Sequence, residues 1–301
     1  MDQNMRIVVA GSSGLVGKRL IELLTSSGHD VVRLVRGNAT EGQIQWDPAG
    51  GELEGTKLEG VDAIVHLGGE SIAEGRWNPM KKRRIRDSRV DSTTLLSETI
   101  ASLNTKPQVF LCASAIGYYG SRGDEELTES SSGGSDFLAG VCQDWEAATN
   151  PASTAGTRVV NLRTGVVLDP AGGALSKILT PFKMGAGGIV GNGKQYWSCI
   201  ALNELTSMIK FCLETSSISG PVNGVCPEPT TNKVFTKTLG SILGRPTIFP
   251  FPAFAAKLVL GEMAEALLLA SARVVPRKLA DANYQFKFAD LESSLRDALG
   301  K

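Results

Sequence analysis

A short apolar strand that turns through glycines into a helix, close to the start of the sequence, constrains most strongly what this chain can fold into. The apolar run Arg6 to Ala10 leads into Gly11-Ser12-Ser13-Gly14-Leu15-Val16-Gly17 and then into a helical pattern that ends before Gly28. In such a turn Gly11 would bend the chain tightly, Gly14 would let the backbone approach a pyrophosphate, and Gly17 would let helix and strand pack closely. The G-x-x-G-x-x-G spacing is weak evidence alone, but at the first strand–helix junction it favours nucleotide binding over a purely structural turn.

The alternation of short apolar runs with longer amphipathic stretches predicts a parallel sheet joined by crossover helices. The predicted fold class is α/β, a Rossmann-type doubly wound parallel sheet with a smaller, mainly helical C-terminal lobe. Strands are expected at Arg6–Ala10, Asp30–Val35, Ala63–Leu67, Val109–Ala113 and Thr157–Leu162, and helices at Leu15–Ser26, Met80–Leu103 and Phe137–Thr149, with Asp136 as N-cap; residues 37–60 give the weakest pattern.

After about residue 165 the sequence becomes richer in Gly- and Pro-punctuated segments. We therefore expect a nucleotide-binding Rossmann domain over residues 1–165 and a substrate lobe over residues 166–301. The lobe should pack closely on the Rossmann domain, and an arrangement in which segments of the two are interleaved is left open. Helices are expected near Ala174–Lys183, Glu204–Glu214, Lys233–Leu243, Phe254–Arg273 and Asp290–Leu299.

The end of the second predicted strand indicates which dinucleotide would bind. An acidic residue there would select NAD through the ribose 2′-hydroxyl, whereas this strand closes with Val35 and Arg36. A guanidinium suits a 2′-phosphate, so NADP is the predicted cofactor, with Arg33 as a weaker second candidate. The alternative is that Arg36 is only a solvated surface charge.

Composition excludes several classes of protein. The 31 Lys and Arg residues balance 31 Asp and Glu, so nothing favours a nucleic-acid or anionic-membrane partner. The five cysteines include no C-x-x-C pair and the two histidines are too few for a zinc cluster, so we expect a reduced, metal-free, intracellular protein. Lys257, Glu262, Glu265 and Arg273 interrupt the longest apolar stretch, so no membrane span is expected. No secretory leader is evident before Arg6, and we expect a cytoplasmic protein.

Two further patterns have ordinary explanations. The glycine cluster from Gly185 to Lys194 has no flanking strand and helix, so we interpret it as a mobile loop near the cleft between lobes, and as a surface turn rather than a phosphate site. The basic run Lys81 to Arg84 lies on one predicted helix, where a solvated face is the default interpretation.

Taken together, the motifs resemble the extended short-chain dehydrogenase/reductases, and within them the nucleoside-diphosphate-sugar epimerase branch sometimes labelled SulA-like. The resemblance runs nearly end to end. It is carried by Gly11 to Gly17, Val65-His-Leu-Gly-Gly-Glu70, Gly75-Arg-Trp77, Asp87-Ser-Arg89, Ser114-Ala-Ile-Gly-Tyr-Tyr-Gly120, Trp145-Glu146, Arg163-Thr-Gly-Val-Val-Leu168, Gly220-Pro-Val-Asn223 and Val275-Pro-Arg-Lys-Leu279.

The resemblance implies further contacts to the cofactor. Leu67, Gly68 and Gly69 should pass over it, Arg89 should reach toward it from the following helix, and Gly165 and Val166 should lie near the nicotinamide. A salt bridge on the helix surface is the alternative role for Arg89. The implied substrate is a small molecule such as a sugar nucleotide, lying between the sheet edge and the C-terminal lobe, and the implied assembly is a monomer or a homodimer.

One departure from the family puts catalysis in question. Active members use a Tyr-x-x-x-Lys pair on one helix face, but the matching positions here are Leu138 and Cys142. The usual assisting serine falls on Ala115, with Ser114 one residue earlier, and Cys142 is better explained as a buried thiol than as a nucleophile. A second departure is Tyr196 to Glu204, where Cys199, Ala201 and Asn203 replace typical Trp, His and Asp. This change would either alter the substrate pocket or only repack it.

Tyr118 is the candidate proton donor that remains, because it follows the strand predicted to end at Ala113, where ligands bind in open α/β sheets. A packing role is the alternative, since no cation near it in sequence would depress its pKa. Two functions follow. The first is an NADP-dependent oxidoreductase or epimerase acting on a secondary alcohol, and the second is a non-catalytic NADP(H)-binding sensor or regulatory module.

Overall fold

The structure, a computed structural model, describes residues 4–301. Most of its strands belong to one mostly parallel sheet. In chain order the strands are β1 Arg6–Ala10, β2 Asp30–Val35, β3 Gln43–Asp47, β4 Glu52–Leu53, β5 Ala63–His66, β6 Val109–Ala115, β7 Glu126–Leu127, β8 Arg158–Thr164, β9 Val166–Asp169, β10 Tyr196–Trp197, β11 Cys199–Ala201, β12 Gly220–Gly224, β13 Thr230–Thr231 and β14 Arg273–Val274.

Helices cover both faces of this sheet and form much of the second half. They are α1 Leu15–Ser26, α2 Pro79–Ser102, α3 Phe137–Ala147, α4 Asn150–Thr154, α5 Gly173–Lys183, α6 Leu202–Glu214, α7 Asn232–Leu243, α8 Ala253–Leu260, α9 Glu262–Ala264, α10 Arg277–Asp281 and α11 Leu291–Leu299. Among residues 4–301, none of these helices combines the length and the apolar character that crossing a lipid bilayer requires.

Within residues 4–301, the central sheet has eight strands in the order β12-β8-β6-β5-β1-β2-β3-β4, and only the β3–β4 pair is antiparallel. The strand order reverses between β1 and β5, which is the topological switch point where open α/β sheets bind ligands. The carboxyl ends of β1 and β5 therefore form the floor of the expected site. The predicted Rossmann-type fold is confirmed.

Alternate residues of β1 enter two different cores, as a doubly wound sheet requires. Ile7 and Val9 pack with α1 and α6 on one face, and Val8 and Ala10 pack with α2 on the other. This explains why β1 reads as a continuous apolar run rather than as alternating residues. A third core, which includes Phe182, joins β9, α5, α7 and α11.

The second half of the chain completes the sheet of the first. Strand β12 pairs in parallel with β8, and α6 packs on the same face as α1. Arg158, at the start of β8, donates to the carbonyl oxygens of Cys212 and Leu213 at the end of α6 and of Ile218 beyond it. The division at residue 165 stays a prediction, and these contacts interleave the sequences on either side of it.

The predicted helix over Phe254–Arg273 is wrong. Gly261 has a positive φ of 63° and ends α8, after which a short α9 and a π-helical turn over Glu265–Leu269 follow. With ψ at −139°, Gly261 lies in a backbone region that glycine adopts readily and other residues avoid, so the helical path does not continue through it. Beyond the turn the chain is extended again, and Arg273 begins β14.

Three strands of the sheet were absent from the prediction. Residues 43–53 form β3 and β4 at one edge, where Ile44 and Trp46 are buried. Strand β12 forms the other edge, where Pro221 is tolerated because one side of that strand has no ladder to complete.

Candidate functional site

The turn after β1 is shaped by glycines that no other residue could replace without displacing backbone. Gly11 adopts a positive φ of 80°. A Cβ placed on Gly17 would lie 2.3 Å from the Gly11 carbonyl oxygen, and one on Gly14 would lie 3.3 Å from it. Gly14 also stands at the N-cap of α1, so no side chain there blocks the first amides of the helix. The turn thus presents a helix N-terminus suited to a phosphate group.

The turn after β5 meets this first turn at the switch point. A Cβ on Gly11 would lie 2.8 Å from the Leu67 carbonyl carbon and 2.9 Å from the Gly68 amide nitrogen. The Leu67 amide donates to the Ala10 carbonyl at 3.0 Å. The structure therefore brings together Gly11 and the predicted loop Leu67 to Gly69. Of the remaining turn residues, Ser12 is buried, Ser13 is exposed, and Leu15 and Val16 are half-buried in the first turn of α1.

His66, the last residue of β5, stabilises the turn after β5 through hydrogen bonds of its ring. Its Nδ1 accepts from the Gly68 amide at 3.4 Å, and its Nε2 lies 2.9 Å from the Ser92 hydroxyl of α2. The Ser92 hydroxyl donates to the Ser88 carbonyl, so Nε2 carries the ring proton and Nδ1 is the acceptor. Burial and the charge of Arg89 lower the pKa of His66 to about 4, which keeps the ring neutral.

Arg89 supports the same turn from α2. Its Nη1 donates to the carbonyl oxygens of Glu70 and Ile85, and its guanidinium carbon lies 5.0 Å from the centre of the Trp145 ring. A Cβ on Gly69 would lie 3.0 Å from that guanidinium carbon, so the loop passes directly over it. Burial lowers the pKa of Arg89. The contact of Arg89 with the cofactor itself stays a prediction.

Two charged residues that follow this turn in the chain form a contact that was not predicted from the sequence. Lys81 is buried on α2, and its ammonium lies 2.7 Å from the Glu70 carboxylate, where we had expected a solvated helix face. That ion pair lowers the pKa of Glu70. The Glu70 amide also donates to the Ser88 hydroxyl at 3.0 Å. The i,i+3 pairing of charges along a helix could not reveal this contact, because Glu70 lies outside the helix.

Strand β2 ends at Val35, as predicted, and the binding of the adenine ribose at this end stays a prediction. Val35 is half-buried and closes the strand, and Arg36 follows it with an exposed side chain. Among residues 4–301, Arg36 takes part in none of the ion pairs. Its charge is therefore available to an anion. Arg33, two residues before Val35 in β2, is also exposed.

Gly165 and Val166 follow β8 where the main sheet gives way to the C-terminal lobe. The Gly165 amide donates to the Gly224 carbonyl, and the Val166 amide donates to the Ser198 carbonyl at 2.9 Å. A Cβ on Gly165 would lie 2.4 Å from that Ser198 oxygen. The close approach explains the glycine, and half-buried Val166 begins β9 beside the third core.

Ser114 belongs to a buried polar network rather than to an open site. Its hydroxyl donates to Glu146 Oε1 at 2.7 Å, and the same carboxylate accepts from Arg163 Nε and Nη2, each at 2.8 Å. Burial opposes the charge on Arg163, but the hydrogen bonds and charge of Glu146 outweigh it and raise the pKa of the guanidinium. The Ser114 hydroxyl proton is thus committed to Glu146, and a catalytic role for Ser114 stays a prediction.

Tyr118 lies at the carboxyl end of β6, in the helical turn Ile116–Tyr119. The Arg163 guanidinium carbon lies 3.4 Å from the centre of its half-buried ring, although no cation was expected near it. A Cβ on Gly133 would lie 3.3 Å from its phenol carbon. Tyr119 differs, because its buried hydroxyl donates to Asn223 and accepts from Arg163, and burial raises its pKa. Tyr118 is the more accessible phenol of the two.

The positions expected to carry the Tyr and Lys of the family face this same loop. A Cβ on Gly117 would lie 3.4 Å from the Leu138 Cβ and 3.8 Å from the Cys142 sulfur. The Cys142 thiol is buried, and burial raises its pKa to about 12. A thiol that stays protonated cannot act as a nucleophile at neutral pH. The side chains that α3 places against this loop, Leu138 and Cys142, can therefore neither donate nor accept a proton in catalysis.

The other departure from the family repacks the core. Cys199 and Ala201 are buried in β11, and burial raises the pKa of Cys199 beyond the physiological range. Asn203 accepts from Arg19 of α1 at 2.7 Å and donates to Asp297 of α11. Cys199 and Ala201 pack in the interior, and Asn203 links α1 to α11 by hydrogen bonds. These contacts favour repacking of the interior over a change in the substrate pocket.

Comparison with protein families and known proteins agrees with this geometry. Residues 7–221 match the model of the NAD dependent epimerase/dehydratase family, and residues 251–298 match a domain described as of unknown function, DUF1731. The epimerase family protein Mb2239 of Mycobacterium bovis is 40% identical over 298 residues, covering 99% of this chain and 97% of that protein.

Two solved structures are also similar over nearly the whole chain. The crystal structure of human epimerase family protein SDR39U1 (isoform 2) with NADPH superposes with a TM-score of 0.90 at 33% identity, covering 99% of this chain and 100% of that one. The structure of the nucleoside-diphosphate sugar epimerase from Corynebacterium glutamicum has a TM-score of 0.82 at 38% identity, covering 99% of this chain and 59% of that one.

Proposed function

Because the chain belongs to the NAD dependent epimerase/dehydratase family, we propose that it binds NADP(H) and acts as an oxidoreductase or epimerase on a secondary alcohol. The observation that carries this proposal is the cradle at the switch point. There the turns after β1 and β5 touch, and glycines leave room that a Cβ would fill. A pyrophosphate fits such a cradle because backbone amides at a helix N-terminus can approach it without a side chain between them.

The phosphate on the adenine ribose distinguishes NADP from NAD. Exposed Arg36 follows β2 at the position where NAD-binding chains carry an acid. A guanidinium can hold a phosphate with two parallel hydrogen bonds. Human SDR39U1, which is 33% identical to this chain, was crystallised with NADPH, and this supports the same choice.

The bound nicotinamide would supply or accept the hydride, and the chain must then hold the substrate and move a proton. Oxidation of a secondary alcohol transfers its carbon-bound hydrogen as hydride and releases the hydroxyl proton to a base. Tyr118 is the candidate for that proton step, because its accessible phenol lies beside Arg163 at the carboxyl end of β6. A sugar nucleotide is the substrate class suggested by the Corynebacterium neighbour.

The affinities of the wild type and of a charge-reversal variant at Arg36 for NADPH and for NADH test the cofactor assignment. We expect Arg36→Glu to weaken NADPH binding at least tenfold, measured by calorimetry, and to change NADH binding much less, because only NADPH presents a 2′-phosphate. Arg245→Glu, at an exposed arginine elsewhere, is the matched control and should leave both affinities unchanged. Equal weakening of both cofactors by Arg36→Glu would refute the assignment.

One observation favours a second function, a non-catalytic NADP(H)-binding sensor or regulatory module. Leu138 and Cys142 occupy the helix positions that face Gly117, and neither can replace a Tyr–Lys pair. General acid–base assistance is typically worth ~10²–10⁴ in rate, so its loss would spare binding more than turnover.

Mass spectrometry of the native protein, followed by denaturing release of its bound small molecules, separates the two functions. An oxidoreductase should change the mass of a co-purified ligand by two hydrogens when NADP⁺ or NADPH is added. An epimerase should convert the ligand into a diastereomer of equal mass, which chromatography before the mass spectrometer separates from it. A sensor would retain NADPH while every co-purified molecule stays chemically unchanged.

A further inference from the structure

The C-terminal lobe contains a cavity of about 490 Å³ that the proposed cofactor site does not use. It lies between α5, α7 and the segments 186–190, 249–251 and 260–268, and Ala73 from the first half of the chain closes one side. We call it the apolar cavity. Its volume falls in the range of ~300–1,000 Å³ typical of small-molecule sites.

The wall of the apolar cavity offers few free hydrogen-bonding groups. Its polar side chains are Lys177, Asn232 and Thr236, besides the Trp197 indole, which donates to the Leu268 carbonyl. Lys177 donates to the Ala73 carbonyl at 2.6 Å, and Asn232 accepts from the Val190 amide at 2.8 Å. Water in this cavity would find few hydrogen-bond partners, whereas an apolar ligand would give up no hydrogen bonds on entering it.

The second glycine cluster builds this wall. A Cβ on Gly187 would lie 2.6 Å from the Phe182 ring, and one on Gly188 would overlap the Phe249 carbonyl oxygen at 1.4 Å. The Phe251 amide donates to the Ile189 carbonyl, and the Gly191 amide donates to the Phe251 carbonyl. The cluster is therefore more than a surface turn, because its glycines let two segments pair closely beside the cavity.

Apolar surface continues from the cavity wall to the outside of the lobe. Phe249 lines the cavity and is 57% exposed, and on α8 the side chains of Phe254 and Leu258 are 74% and 77% exposed. Contiguous exposed apolar surface is uncommon on proteins and marks sites for ligands or partners. Its position at the cavity wall favours entry of an apolar molecule there.

Both halves of the chain hold this region together. Arg76 donates to the carbonyl oxygens of Leu258 and Val259 at 3.2 and 3.3 Å, and Lys82 lies 2.6 Å from the Glu262 carboxylate. Val166, the residue expected near the nicotinamide, packs against the same core as Phe182 and Trp197. Phe182 and Trp197 also line the apolar cavity, so one core lies between the cavity and the position proposed for the nicotinamide.

We propose that the apolar cavity binds the hydrocarbon portion of a lipophilic substrate that carries the secondary alcohol, in place of the sugar nucleotide suggested by the Corynebacterium neighbour. The identity of the reacting group rests on the proposed function, but the binding of a hydrocarbon does not. Five lining residues, from Phe251 to Leu268, come from the segment that matches DUF1731. That segment would thus contribute to the recognition of an apolar ligand.

Binding of the fluorescent fatty acid cis-parinaric acid tests this inference. We expect the wild-type protein to bind it, and Ala174→Trp, which places an indole in the cavity from α5, to weaken binding at least tenfold. Thr180→Trp is the matched control, because Thr180 is exposed on the same helix outside the cavity lining and should bind like the wild type.

Two further measurements separate the possible failures. Met80→Gln changes an exposed apolar side chain outside the cavity lining and should bind cis-parinaric acid with the affinity of the wild type. Wild-type affinity in Ala174→Trp, or no binding by the wild type, would overturn the inference. NADPH affinity is measured on every variant, since failure to bind NADPH with normal binding of cis-parinaric acid refutes the proposed function and leaves the cavity assignment intact.

Discussion

Glu146 and Arg163 form a two-point ion pair in the interior, with both nitrogen–oxygen distances at 2.8 Å and side chains that are 13% and 3% exposed. The pair joins α3 to β8. Because Tyr118 lies on the guanidinium and Ser114 donates to the carboxylate, it fixes the loop after β6 on which any catalysis would depend.

We expect Glu146→Gln to lower the free energy of unfolding by ~3–5 kcal/mol, because it leaves a buried guanidinium without its countercharge. Urea unfolding measures this. The double variant Glu146→Leu, Arg163→Met should recover part of the loss, since neither charge is then buried alone. A single variant as stable as the wild type would show that solvent reaches Arg163.

We expect Gly17→Ala to weaken NADPH binding at least tenfold and to lower the free energy of unfolding by ~1–3 kcal/mol, because its methyl would lie 2.3 Å from the Gly11 carbonyl oxygen. Calorimetry and urea unfolding provide the two values. Gly140→Ala is the control, since an exposed glycine inside α3 has open space around it and should gain ~0.5–1 kcal/mol. Normal NADPH binding by Gly17→Ala would exclude a close approach of the pyrophosphate to this turn.

The lowered pKa of His66 predicts that the folded protein loses stability in acid. Its pKa is about 4 in the folded state and about 6.5 when unfolded, so the unfolded chain binds the extra proton between these values. The stabilisation is fully present above pH 6.5 and declines as the pH falls, reaching a loss of ~3 kcal/mol below pH 4. Urea unfolding as a function of pH checks this, and His66→Gln should remove that part of the slope. An unchanged slope in His66→Gln would assign it to other groups.

Tyr118→Phe should lower any reductase turnover without changing NADPH affinity, because it removes the phenol proton and keeps the ring on Arg163. Loss of acid–base assistance predicts a decrease of ~10²-fold or more. Tyr196→Phe is the matched control, because Tyr196 also lies beneath an arginine, Arg273, at 5.6 Å. Unchanged turnover would leave Tyr118 with a packing role.

Local signals account for the parts of the fold and site that the sequence predicted. The glycines from Gly11 to Gly17 impose their turn through contacts within seven residues, and Asp136 caps α3 as expected. Strand β12 was missed because Gly220 and Pro221 are typical of turns, and only pairing with β8 makes them extended. The burial of Lys81 and the cation beside Tyr118 were missed because Glu70 and Arg163 come from other elements.

The late position of β12 in the chain has a consequence for biosynthesis. The open edge of β8 cannot be covered until the ribosome has released residue 224, and Arg158 lacks its carbonyl partners until residues 212–218 have emerged. A nascent chain halted after β8 therefore displays an unpaired strand edge, the feature that draws chains into aggregates. Chaperone capture of stalled chains should accordingly fall sharply once residue 224 clears the exit tunnel.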